Sequence, residues 1–337
     1  MSEGEDVEPD PMEERDAQAA GRIRSAATAR HLGLDLGGTR LKWAVLERGA
    51  DTRRQLDSGS EPTRLDGGAA GLVAQLVACA REAALRWPEI ASAGIGVPGV
   101  YDGVAGTIRF TPNIPVDWAG TVVADPVAAA LDAPARLIND ARAFMLAELR
   151  LGAARGALNA IGLTLGTGVG GGLAIDGRLY FGHDGTAGEI GHQTIDPDGP
   201  FCHCGNRGCL EAYTRADQIA LACGTPDVET AVRRAREGDQ RARAGLQQVG
   251  RYLGIGIASM ITVLTPDVIV LGGGVANAGD LLLNPLRDEL RQRVRTTALD
   301  RVELVVAELG YWAGAIGAAL YGAECTLRPA PVGEGVP

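Results

Sequence analysis

Cys202-His-Cys-Gly-Asn-Arg-Gly-Cys209-Leu-Glu211 brings three thiols into one short segment, and Gly188-Glu-Ile-Gly-His192 precedes it. Three thiolates and an imidazole can close a tetrahedral Zn2+ site, and Gly205 and Gly208 allow the tight turns between ligands. Reduced structural cysteines beside unrelated histidines would be the plainer reading, but Cys-x-Cys-x4-Cys spacing disfavours it. His192 is the preferred fourth ligand beside Cys202, Cys204 and Cys209. His183 and His203 compete, and His203, lying between two ligands, should point away. Such a centre would pin Glu189, just before His192, and Glu211, just after Cys209. Two carboxylates fixed on one loop system suit vicinal hydroxyls; either alone would read as a surface acid.

Asn139-Asp140 stands where an apolar run, Ala135 to Ile138, meets a helical pattern of Phe144, Ala147 and Leu151. Most Asp residues at such a junction only cap the helix. A carboxylate at a strand end and a helix N-terminus is also placed to act as a base. There the helix dipole should keep it ionised and ready to take a hydroxyl proton. Asp35-Leu-Gly37-Gly38-Thr39 alone signals no more than a hairpin. Gly166-Thr167-Gly168-Val-Gly-Gly-Gly172, after a second strand, changes that. Its glycines let several backbone N–H groups point one way, a nest for phosphate that needs no positive side chain. Thr39 and Thr167 add hydroxyls, and Asp35 adds a carboxylate where Mg2+ would sit. Gly272-Gly273-Gly274 would let a flat base lie against backbone. No Gly-x4-Gly-Lys-Ser/Thr occurs, which excludes a P-loop. The second loop leads into a strand rather than a helix, which argues against a dinucleotide cofactor.

The elements that must hold these residues alternate between strand and helix in both halves. His31 to Leu36 is a strand into a glycine turn, Arg40 to Leu46 its return, and Gly71 to Leu85 an amphipathic helix. Ala93 to Gly99, Ala135 to Asn139, Ala160 to Leu165, Gly171 to Ile175 and Asp267 to Leu271 read as further strands. Helices dominate from Ala216 to Ser259, and Trp312 to Tyr321 is a closing helix. A strand followed by a glycine turn opens each half, which fits a duplicated core of two α/β layers around a cleft. Residues 1–29 carry no apolar period and read as a disordered acidic tail.

The chain has 337 residues, a net charge of −10 and a sequence pI of about 5.0. That length holds two sizeable cores, and that charge argues against a nucleic-acid partner. The longest apolar stretch, Gly254 to Leu264, is too short to span a bilayer, and the start lacks the pattern of a signal peptide. Few cysteines, three of them bunched, point to metal rather than disulfides and to the cytoplasm.

Strand-Asp-x-Gly-Gly-Thr with a later Gly-Thr-Gly-x-Gly-Gly-Gly resembles the actin-like two-domain ATPases and sugar kinases. The Gly-x-His and Cys-x-Cys-Gly-x-x-Gly-Cys-x-Glu elements narrow the resemblance to the ROK family, from about His31 to Tyr321. It implies an α/β fold of two actin-like (ribonuclease H-like) domains with a central interdomain cleft. The first would cover residues 30–138, with closing helix 312–325 packed back on it. The second would cover residues 139–311 with the zinc loop, and residues 326–337 would form a flexible tail. It implies ATP on Asp35, Gly37, Gly38, Thr39, Gly166, Thr167, Gly168, Gly273 and Gly274, with Mg2+, and a structural Zn2+ whose fourth ligand is His192. A small-molecule sugar would lie on Gly99, Asn113, Asn139, Glu189, His192 and Glu211, with Asp140 as general base. The implied reaction is ATP-dependent phosphorylation of a hexose, glucose to glucose 6-phosphate first, with an N-acetylhexosamine or a cyclitol as alternatives. The family's sugar-responsive repressors rank behind, because no apolar period before His31 builds a DNA-binding domain. The resemblance also implies a homodimer and no membrane or nucleic-acid partner. The Gly170-Gly-Gly172 form of the second loop resembles the ATP-using branch rather than the polyphosphate one. Arg142 departs from the Asn that many members carry two residues after the Asp.

Overall fold

The computed structural model describes residues 28–49, 53–111 and 114–327. The first half opens with an antiparallel meander, β1 (Thr28–Leu36), β2 (Arg40–Gly49) and β3 (Arg53–Pro62). After α1 (Gly68–Arg86) come β4 (Ile90–Val97), a hairpin of β5 (Val100–Asp102) and β6 (Thr107–Phe110), α2 (Ala124–Leu131) and β7 (Ala135–Asn139). The sheet order is β3-β2-β1-β4-β7, with β4 and β7 parallel to β1.

α3 (Asp140–Leu151) leads into the second half, which repeats this plan. β8 (Ala160–Leu165), β9 (Val169–Ile175) and β10 (Arg178–Tyr180) form the meander. A long excursion follows through α4 (Leu210–Thr214), α5 (Ala216–Cys223), α6 (Val228–Arg236) and α7 (Gln240–Leu264). β11 (Val268–Gly272), α8 (Asp280–Arg293), β12 (Glu303–Val306) and α9 (Ala313–Leu327) complete the described chain. The order β10-β9-β8-β11-β12 matches the first sheet strand for strand, including the antiparallel and parallel pairings. The duplication is therefore visible in topology.

Strand alternation decides which layer each face meets. Leu32, Leu34 and Leu36 of β1 are fully buried with Leu72 and Leu76 of α1. The opposite face of β1 meets α9 so closely that a Cβ at Gly33 would collide with the Ala315 carbonyl, and one at Gly94 of β4 with the Ala318 carbonyl. Side chains larger than glycine would lift α9 off the first sheet. α9 also packs along α3, joining Ala315, Ile316 and Ala319 to Phe144, Met145 and Val270. These two helices thus form a layer between the sheets, and the N-terminus of α3 emerges at the strand ends. α1 is long and apolar enough to cross a membrane by length and composition, with mean hydropathy 1.3. One of its faces, Leu72, Leu76, Ala80 and Ala83, lies in the core, and the other carries Arg81 and Glu82.

Three expectations meet the limits of the described residues. β1 begins at Thr28, so residues 28 and 29 are strand rather than tail, because they pair with Gly49 and Arg48. The rest of the expected tail, residues 1–27, lies outside the described residues. α9 runs to Leu327, so residues 326 and 327 are helical and residues 328–337 lie outside the description, as does Asn113.

Candidate active site

The predicted phosphate and base residues gather at the carboxyl ends of the parallel strands in both sheets, where open α/β sheets form their crevices. Asp35 ends β1, Gly99 follows β4, and Asn139 ends β7. In the second sheet Gly166 to Gly168 follow β8, and Gly273 and Gly274 follow β11. Gly273 has φ +84°, and a Cβ there would collide with the carbonyl of Leu165, so the second and third glycine turns are in contact. The second turn is tight, with Gly166 N donating to Gly168 O at 2.9 Å, and Thr167 is exposed at its tip. The first closes through Gly37 N to Arg40 O at 3.0 Å, leaving Thr39 exposed.

Asn139 is the N-cap of α3: its Oδ1 accepts from Ala141 N at 3.1 Å and Arg142 N at 3.2 Å. Its Nδ2 donates to Gly99 O at 3.2 Å, which joins the two strand ends. Capping by Asn139 moves Asp140 into the first helical turn, where its Oδ1 accepts from Ala141 N at 2.8 Å. The helix N-terminus does not keep this carboxyl at its ordinary value. Burial and the charges of Asp35 and Glu189 outweigh the Ala141 hydrogen bond and the Lys42 charge, and push Asp140 up to about 7. Its side chain is crowded by protein yet keeps an opening to solvent.

Two cations stand near Asp140: Arg142, marked in the sequence as a departure from the family pattern, and Lys42, which sequence reasoning missed. Lys42 Nζ donates to Asp35 Oδ2 at 2.7 Å. Arg142 is buried, donating from Nε to Ala187 O at 3.0 Å and from Nη2 to Glu189 Oε1 at 3.1 Å. Among the described residues Asp35 and Glu189 each have a cationic partner, and Asp140 has none. A base that can accept a proton near neutrality is the expected product of that distribution. A signal for Lys42 was present in the text: it is the only lysine in the chain.

The Cys/His cluster forms within the long loop that joins β10 to α4, which brings His192 back against Cys202, Cys204 and Cys209. One ligand atom from each of His192, Cys202, Cys204 and Cys209 lies within 4.8 Å of the others. Cys202 Sγ is 3.6 Å from His192 Nδ1, and Cys204 Sγ is 3.7 Å from Cys209 Sγ. This soft, converging donor set fits Zn2+. His203 turns outward to Arg215, 3.1 Å from Nε2 to Nη1, and neither it nor His183 joins the cluster. Glu211 is buried between cluster and glycine turn: Oε2 accepts from Val169 N at 2.8 Å and Oε1 lies 3.7 Å from Cys202 Sγ. Each of the two predicted sugar carboxylates therefore already has an oxygen engaged, Glu189 by Arg142 and Glu211 by backbone.

Comparison with known proteins gives a consistent neighbourhood. The family model for the ROK family matches residues 31–324. The glucokinase of Thermotoga maritima is 33% identical over 307 residues, spanning 86% of this chain and 95% of that protein. The crystal structure of a ROK family glucokinase from Streptomyces griseus, in complex with glucose and AMPPNP, superposes with a TM-score of 0.75 at 30% identity. The match covers 88% of this chain and 100% of that one. The ROK hexokinase of Thermus thermophilus has a TM-score of 0.78 at 36% identity, over 88% of this chain and 99% of that one.

Proposed function

The chain belongs to the ROK family, and we propose that it transfers the γ-phosphoryl of ATP to a hydroxyl of a hexose, converting glucose to glucose 6-phosphate. Its duplicated sheets have the actin-like arrangement of that family's kinases. We divide it into a first domain of residues 30–138 and a second of residues 139–311, with α9 packed on the first. In this reading the triphosphate lies on the turns at Gly37 to Thr39 and Gly166 to Gly168, and the base lies against Gly273 and Gly274. Asn139, Glu189, His192 and Glu211 face the sugar, with Gly99 and Asn113 at its margin.

Asp140 orients the attacking hydroxyl and takes its proton. The new bond forms between that oxygen and the γ-phosphorus, while the bond from phosphorus to the bridging oxygen of ADP breaks. The loose transition state places most of the acceleration in positioning and electrostatics. Asp35, whose Oδ1 makes no hydrogen bond among the described residues, is the donor that would hold Mg2+; the ion would neutralise phosphate charge. Zn2+ on His192, Cys202, Cys204 and Cys209 would brace the loop that carries Glu189 and Glu211.

The observation that supports this reading most is the uncompensated carboxylate of Asp140, raised to about 7 at the strand ends beside two glycine turns. A coupled ADP-release assay across glucose, mannose, N-acetylhexosamines and cyclitols tests it. Release with glucose is expected, and none with any sugar would refute it. Arg142 favours a second reading, a kinase for an N-acetylhexosamine or cyclitol, because its guanidinium stands in the pocket wall beside Glu189. We also propose a cytoplasmic enzyme, which suits its free cysteines, and a homodimer on family resemblance alone, to be read by sedimentation.

A further inference from the structure

Of the 32 basic residues in this chain one is lysine and the other 31 are arginine. That lysine is Lys42, and it lies in the cleft. A composition that uses arginine everywhere else gives no reason for one lysine at an ion pair. A planar guanidinium would hold a carboxylate at least as well, often through two parallel bonds. What an ammonium offers instead is a compact charge with three donors that can serve oxygens from several directions.

The geometry fits that use. β1 and β2 pair Asp35 directly opposite Lys42, on either side of the Gly37 to Thr39 turn. Lys42 Nζ is 2.7 Å from Asp35 Oδ2 and 4.9 Å from the ring centroid of Tyr311, which precedes α9. Its side chain is 22% exposed against 7% for Asp35, so the carboxylate is the more buried member of the pair. Among the described residues Asp35 is its one hydrogen-bond acceptor. Its charge also acts on Asp140, which follows β7 of the same sheet. One cation thus stands between the first glycine turn and the base, in a protein whose net charge is −10.

We propose that Lys42 is a catalytic residue, its ammonium donating to oxygens of the transferred phosphoryl group while Asp35 holds it in place. The inference rests on the kinase reading above and adds to it the side-chain cation that the glycine turns lack. Lys42 stays protonated throughout and moves no proton. It binds charge on the phosphoryl oxygens as the bond to ADP loosens.

Two experiments on the full-length protein test this. First, Lys42→Gln and Lys42→Arg are assayed for kcat and for KM toward ATP and sugar separately. The Gln variant should lose about 10²–10³-fold in kcat/KM for ATP, the scale of one transition-state donor, with the KM for sugar unchanged. Arg should restore only part of the loss. Wild-type kcat/KM for ATP in the Gln variant would overturn the proposal. So would an unchanged kcat with the KM for ATP and for sugar raised together, the mark of an ion pair that only supports the fold.

Second, the wild-type protein is treated with pyridoxal 5′-phosphate, whose aldehyde condenses with an amine and loses water, and the imine is reduced with borohydride. Only one ε-amine exists, so mass mapping reads Lys42 without ambiguity, and the α-amine serves as internal control. ATP or ADP should slow labelling of Lys42 and not of the α-amine, while glucose alone should slow neither. Unchanged labelling under saturating nucleotide would overturn the proposal. This readout needs no sugar turnover. A wild-type enzyme that phosphorylates no sugar refutes the kinase reading, whereas loss of nucleotide protection refutes only the role of Lys42.

Discussion

Arg142 Nη2 stands 3.1 Å from Glu189 Oε1, so the residue two places after the candidate base clamps the acid across the pocket. With Lys42 on Asp35, this pairing gives a cation to each of the two acids whose charges raise Asp140, while Asp140 itself has none among the described residues.

The first expectation concerns the base itself. Asp140→Asn should lower kcat by about 10²–10⁴-fold, the range of general base catalysis. Sugar should still bind, because the neutral amide retains most of the contacts of the side chain. Single-turnover assays and calorimetric titration of glucose separate the two quantities. Near-normal turnover in this variant would remove Asp140 from the mechanism.

The second concerns pH. A base must be ionised, and Asp140 is raised to about 7. Turnover should therefore fall as pH drops below about 7, close to tenfold per unit, and level off above it. The linkage has the opposite sign. A folded-state value above the unfolded one means that the folded protein holds this proton more tightly. Its stabilisation is full below about pH 4 and is lost as pH rises through about 7. Asp140→Asn should consequently be more stable than wild type at pH 8, by about 1–2 kcal/mol or a few degrees in Tm, and the gap should close toward pH 5. Thermal melts across that range decide it.

These groups differ in how far the chain could announce them. Asp140, both glycine turns and the Cys/His set were legible because each rests on local spacing: a strand end before a helix, or glycines packed in one turn. Lys42 lies in a strand of ordinary pattern, and only register brings it opposite Asp35. The Arg142–Glu189 contact joins residues 47 positions apart and follows from how α3 meets the excursion loop. β3 (sequence RRQLDSGSEP) escaped notice because an edge strand with polar residues shows no apolar alternation. The raised Asp140 was illegible for a related reason. A helix terminus is a local feature, whereas burial and two distant carboxylates are set by the whole fold.

The Arg142–Glu189 pair yields a third expectation. Arg142 is nearly buried, with 3% of its side chain exposed against 39% for Glu189. Removing Glu189 leaves the buried guanidinium uncompensated, whereas removing Arg142 leaves a carboxylate that solvent reaches, so Glu189→Gln should cost more stability than the similarly sized change Arg142→Met. The two changes should couple, the double variant being less unstable than their sum by about 0.5–3 kcal/mol. Arg142→Asn should alter the ratio of kcat/KM between glucose and an N-acetylhexosamine more than it alters turnover of the better substrate. A denaturation cycle and paired kinetics test this, and strict additivity with an unchanged ratio would mean that Arg142 sets neither.

The last expectation follows from how the Cys/His cluster is tied to the glycine turn. Glu211 lies two residues after Cys209, and its carboxylate bridges the Cys202 thiol and the backbone of Val169 at the start of β9. The cluster therefore braces the second glycine turn as well as the loop of Glu189. Metal analysis of the purified protein should find about one zinc per chain, in keeping with four ligands at one centre. Chelation, or Cys204→Ser, should lower Tm and raise the KM for sugar, and the KM for ATP should rise too because Val169 directly follows that turn. Binding energy of a structural metal is folding energy, so readded Zn2+ should restore both constants together. A protein that contains no zinc yet melts and turns over normally would show that the thiols hold this loop without a metal.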